Sequence, residues 1–105
     1  MRAVETGDRP GPDEILGPHR NAVLALARKY GAKRVRVFGS VRRRSATRRS
    51  DVDVLVDDLP GASLLDVARL EVELSRVLGR RVDVVEEGSL PWSIRPQVLA
   101  EAVPL

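Results

Sequence analysis

Ser50-Asp51-Val52-Asp53-Val54-Leu55-Val56 is the stretch on which the reading of this chain turns. Valine and aspartate alternate at its head, and its β-branched residues favour a strand. Side chains at i and i+2 of a strand share a face. Val52, Val54 and Val56 would therefore be buried, while Asp51 and Asp53 project together on the other side. Aspartate has low strand propensity, and neighbouring carboxylates repel unless something positive lies between them. Such a pair at the head of a strand suits a hard, oxygen-seeking divalent cation. A solvated strand end produces the same pair, and the dyad alone is read as no more than that.

Working outward, Arg34-Val35-Arg36-Val37-Phe38 alternates polar and apolar residues and reads as a half-buried strand stopped by Gly39-Ser40. Before it, Val23, Leu26, Ala27 and Tyr30 recur at helical spacing from about His19, with Gly31 as a left-handed cap. Residues 1–18 hold many glycines and prolines and are expected to be a flexible arm, with at most one turn around Asp13–Leu16. After the acidic strand, Asp57 and Asp58 precede a Pro60-Gly61 turn. Ser63 with Asp66 then forms a capping box for a long helix closed by Gly79. That helix is expected to bury Leu64, Val67, Leu70, Leu74, Val77 and Leu78. Arg81-Val82-Asp83-Val84-Val85-Glu86 is a third strand, and Pro96 opens a last short helix through Val103. The order predicts an α+β fold, a small mixed sheet of about three strands with helices packed on it.

Asp83 changes the weight of the acidic pair. It lies between Val82 and Val84 in a strand that has no need of a charge. If this strand neighbours the second, three carboxylates converge, a donor set suited to two magnesium ions carrying a nucleoside triphosphate. Gly39-Ser40 is a second element: glycine permits close backbone approach, and free N–H groups with a serine hydroxyl can hold phosphate oxygens. Gly-Ser alone reads equally as an ordinary turn.

The 105 residues suffice for one domain. Hydrophobic residues at 43% and charged residues at 31% exclude a disordered tail. No apolar run is long enough to span a membrane, and charges near the start argue against a signal peptide. With no cysteine there is no disulfide framework, thiolate metal site or cysteine nucleophile, and a cytoplasmic location is expected. Arg42, Arg43, Arg44, Arg48 and Arg49 exceed the net charge of +3 by themselves, so the rest of the chain is net acidic. That favours a local anion site over broad adhesion to nucleic acid. His19 reads as a surface residue and Trp92 as a packing anchor.

Val37-Phe38-Gly39-Ser40, ten intervening residues and Asp51-Val52-Asp53, followed by Asp83 on a later strand, resembles the DNA polymerase β-like nucleotidyltransferase superfamily. More narrowly, the pattern is similar to its minimal nucleotidyltransferase domains. The resemblance runs from about Ala22 to Leu105 and sets the domain at 19–105, after the arm. It implies that Asp51 and Asp53 bind both magnesium ions, and that Asp83 shares one and helps deprotonate the attacking hydroxyl. It further implies that Gly39, Ser40 and Arg43 hold the phosphates of ATP while a hydroxyl attacks the α-phosphorus. The family commonly has an Ala-Arg-Gly-like segment after Gly-Ser-x, where this chain reads Arg42-Arg43-Arg44.

Little of this sequence follows Asp83, so a separate acceptor-binding domain is not expected and the acceptor is expected to be recognised by, or to be, a partner. The resemblance then implies an antitoxin that adenylylates a tyrosine of a HEPN-type ribonuclease toxin. Two other readings stay open: a non-catalytic module that neutralises its partner by contact, and nucleic-acid binding by the arginine loop.

Overall fold

The computed structural model describes residues 9–47 and 49–105. Helix α1 (Pro12–Ile15) and a 3-10 turn (Gly17–His19) lead into α2 (Arg20–Lys29), β1 (Val35–Phe38) and the short α3 (Gly39–Arg42). There follow β2 (Val52–Val56), α4 (Leu64–Leu78), β3 (Val82–Glu86), α5 (Arg95–Glu101) and β4 (Val103–Pro104). The sheet runs β3-β2-β1-β4. β1 is antiparallel to β2, whereas β2 and β3 are parallel, as their connection through α4 requires. The α+β reading holds, with one strand more than expected. β4 pairs Val103 with Val37 and Pro104 with Arg36, and α5 stops at Glu101 rather than at Val103. Two residues, one a proline, offer no alternation from which such a strand could be read.

Alternation in β2 and β3 builds the core. Val52, Val54, Val56, Val82 and Val84 are buried with Val35 and Val37, beneath Val23 and Ala27 of α2 and Leu70 and Leu74 of α4. Ser63 accepts from the Asp66 amide while Asp66 accepts from Ser63, the capping box anticipated for α4. Gly79, at φ 68°, ends that helix in the left-handed conformation. Of the expected stripe Leu70 and Leu74 are buried, Val67 and Leu78 pack partly buried against the core, Val77 is half-buried, and Leu64, in the first turn, is 91% exposed. β3 is an edge strand, and α4 satisfies its outward amides: Ser75 Oγ accepts from Val82 N (3.0 Å) and Glu71 Oε2 from Val84 N (2.8 Å). Asp57 accepts from the Lys33 and Arg34 amides, fixing the entry to β1, and Asp58 accepts from Gly88 N.

The arm expected to run to Pro18 gives way to packed structure. Leu16 is fully buried in the main core and Ile15 packs against it, an apolar pair whose burial outweighs the neighbouring helix breakers. Met1 to Asp8 lie outside the described residues. Trp92, expected as a packing anchor, is 86% exposed, and His19 lies on the surface. Among the described residues no helix is long and apolar enough to cross a membrane.

Candidate active site

The second face of the sheet is divided. Its lower part is apolar: Leu55 packs with Leu90 and Val98, flanked by Phe38, Val85 and Leu99. Its upper part carries the aspartates. Asp53 in β2 is the register partner of Asp83 in β3, and its neighbour on the other side is Phe38, the last residue of β1. Asp51 lies one residue before β2, two positions from Asp53.

The chain turns at Gly39 directly above Asp53. Gly39 is buried at φ 74°, and a Cβ there would run into Asp53 Oδ2 and stand 3.0 Å from its carboxyl carbon. Both the backbone angle and the close approach exclude any side chain. Ser40 follows within α3, and its carbonyl accepts from Ser45 N (2.9 Å), folding the loop back. The sequence-derived residues Gly39, Ser40, Asp51, Asp53 and Asp83 thus gather at one end of the sheet.

The electrostatics are those of crowded anions. Burial, then the carboxylates of Asp83 and Asp51, push Asp53 up to about 6, against a smaller opposing pull from Arg43. Asp83 is also raised, first by burial and then by Asp51. The exposed Arg81 guanidinium stands between the outer two, with Nε 3.7 Å from Asp51 Oδ2 and 3.6 Å from Asp83 Oδ1. Carboxylate oxygens under mutual repulsion fit a hard divalent cation. Even so, no three His, Cys, Asp or Glu side chains among the described residues are arranged to hold a metal ion together.

The arginine segment is largely engaged within the chain. Arg43 Nη1 donates to Glu101 Oε1 (2.8 Å), Arg42 Nε to the Glu101 carbonyl (2.9 Å) and Arg44 Nη1 to Glu14 Oε1 (2.9 Å). Arg44 occupies the place of the glycine in the family's Ala-Arg-Gly pattern and adopts φ 59°. The loop therefore keeps a glycine-like backbone with an arginine on it.

Glu101 is the participant that sequence reasoning missed. Its Oε2 accepts from Gly39 N at 2.6 Å, the amide expected to meet phosphate. Arg81 was likewise unanticipated. No motif marks a glutamate at the end of a short helix; the pairing of β4 with β1 and the packing of Val98 with Leu55 carry α5 to the bend.

Residues 19–105 match the nucleotidyltransferase domain family. The protein adenylyltransferase MntA of Thermococcus cleftensis is 41% identical over 91 residues, 87% of this chain and 89% of that protein. A Methanocaldococcus jannaschii protein, provisionally named a protein adenylyltransferase, is 39% identical over 84 residues, 80% of this chain and 90% of its own. A solved structure, provisionally described as a minimal nucleotidyltransferase, superposes with a TM-score of 0.76 at 52% identity, covering 86% of this chain and 92% of that one. A toxin-antitoxin crystal structure with AMP-PNP shares the fold at 23% identity, with a TM-score of 0.70 over 80% of this chain and 69% of that one. With the glycine bend packed on Asp53 and Asp83 beside it, this chain belongs to the nucleotidyltransferase domain family as a minimal nucleotidyltransferase, an enzyme of the nucleotidyl-transferring type.

Proposed function

We propose that this enzyme transfers AMP from ATP to a tyrosine hydroxyl of a HEPN-type toxin and so acts as its antitoxin, in the cytoplasm. A protein acceptor is supported by relatives of about 40% identity that are named protein adenylyltransferases. The toxin and its tyrosine follow from the resemblance to minimal nucleotidyltransferases. The observation that carries the reading is the register of β2 and β3, which sets Asp53 beside Asp83 under the Gly39 bend.

Asp51, Asp53 and Asp83 would hold two magnesium ions, which neutralise triphosphate charge and favour the departure of pyrophosphate. Gly39, Ser40 and Arg43 would bind the β- and γ-phosphates. The tyrosine oxygen attacks the α-phosphorus in line; the new O–P bond forms as the bond to the bridging oxygen of pyrophosphate breaks. The hydroxyl proton would pass to Asp83, the carboxylate to which the family resemblance gives that step. Positioning and charge neutralisation supply most of the rate. Exposed Trp92 and Ile94, on the loop before α5, offer apolar contact to a protein acceptor.

The test is to incubate the protein with α-labelled ATP, magnesium and a HEPN-type toxin from the same genome. Label should appear on one toxin tyrosine and vanish with Asp51→Asn/Asp53→Asn, while complex formation persists. Unlabelled toxin that is neutralised equally by wild type and the double variant would overturn the proposal.

A further inference from the structure

The donors expected to meet phosphate are bound to a carboxylate. Glu101 Oε2 accepts from Gly39 N (2.6 Å) and Oε1 from Arg43 Nη1 (2.8 Å), so one anion bridges the backbone amide and the guanidinium. The side chain of Glu101 is only 16% exposed. Arg42 Nε holds the Glu101 carbonyl (2.9 Å), so the backbone is fixed and only the carboxylate need move. Burial opposes the charge on Glu101, yet the Arg43 and Gly39 bonds keep its carboxyl below the ordinary range. We infer that Glu101 is an internal anion that occupies the phosphate cradle and sets the enzyme's affinity for the triphosphate chain, which must displace it to bind.

The inference rests on the nucleotide reading above, and its logic is exclusion. A backbone amide carries one hydrogen, so Gly39 N–H cannot fully serve both Glu101 and a phosphate oxygen. Hydrogen bonds to an ionised acceptor are roughly twice as strong as neutral ones, so a phosphate competes against a strong incumbent. The displaced carboxylate would also remain near the incoming phosphates and repel them. Glu101→Gln keeps the length and shape but has one acceptor oxygen for the two donors and no charge, so the cradle becomes easier to vacate. Glu101 is thus an affinity-setting residue that acts through Gly39 and Arg43.

Direct binding by calorimetry, with ATP plus magnesium, tripolyphosphate plus magnesium, and adenosine as probes, tests this. Glu101→Gln should bind ATP and tripolyphosphate about tenfold more tightly than wild type. Adenosine should show no gain, because it offers nothing to the contested donors. Glu101→Ala, checked for folding by circular dichroism, should gain at least as much. In turnover, KM for ATP should fall while kcat does not rise; a merely structural role would weaken binding instead. Wild type that binds ATP with Glu101→Gln equal or weaker overturns the inference alone. A gain for adenosine equal to that for ATP also overturns it. Binding of neither ATP nor tripolyphosphate by any of the three proteins overturns both the inference and the nucleotide reading.

Discussion

The two faces of β2 and β3 are made by the same strands and do opposite work. On one, Val52, Val54, Val56, Val82 and Val84 are buried against α2 and α4. On the other, Asp53 and Asp83 lie side by side, and burial with neighbouring carboxylates makes each hold a proton more tightly than an ordinary aspartate. Period-two alternation puts stability and chemistry one residue apart at the upper end of both strands. The apolar face drives the fold and forces the acidic face into a charge cluster whose mutual repulsion costs stability.

That contrast breaks most sharply at the acidic face, where substitution should abolish transfer and spare the fold. Asp51→Asn/Asp53→Asn is expected to lower nucleotidyl transfer by at least about 10³-fold, since charge stabilisation supplies most of the rate. Circular dichroism and thermal melting should remain those of a folded protein. The mirror experiment is Leu74→Ala, at a residue 1% exposed under the sheet. It should cost about 2–5 kcal/mol in urea unfolding while leaving catalysis by the folded fraction near wild type. Equal stability losses from both variants would mean that the faces are not separable.

Asp53 sharpens the comparison through pH. Its carboxyl is raised to about 6 against an unfolded value of 3.8. The folded state therefore binds the proton more tightly, so ionisation of Asp53 subtracts stability as pH climbs from about 4 to about 6, and fully above that. Asp53→Asn should raise unfolding stability at pH 7.5 without divalent ions by about 1–2 kcal/mol, after allowance for solvent screening of a half-buried group. The gain should vanish near pH 4. Added magnesium should stabilise wild type and not the variant. A gain of the same size at pH 4 would refute the charge-repulsion account.

The sequence made the apolar face and the acidic dyad readable because both are short-range patterns: alternation in residues 50–56 and 81–86, and a glycine at a strand end. The capping box of α4 and its closing Gly79 were equally local. What escaped depended on contacts distant in the chain. Leu16 sits among glycines and prolines and is buried only because α1 folds back on the core. β4 exists only because β1 needs an edge partner. Glu101 meets Gly39 from 62 positions away, and no spacing rule reaches that far. The arginine segment divides for a related reason. Its clustering in sequence suggested one local anion site, whereas Arg43 and Arg44 pair with Glu101 and Glu14, on different elements.

The smallest effect concerns Arg44, where the chain keeps the path of a glycine without the glycine. At φ 59° an arginine carries the strain of a β-carbon in the left-handed region, and its guanidinium lies against Gly11 while pairing with Glu14. Both partners of that pair are about half exposed, so water screens it and the contact offsets the backbone strain only weakly. Two substitutions separate the terms. Arg44→Ala loses the ion pair and keeps the strain, and Arg44→Gly loses both. Arg44→Gly should therefore be the more stable of the two by about 1 kcal/mol in chemical denaturation, despite the greater freedom of glycine in the unfolded chain. Alanine matching or exceeding glycine at this position would show that the loop relaxes around residue 44, and that the glycine-like turn is not required to hold Arg43 at the bend.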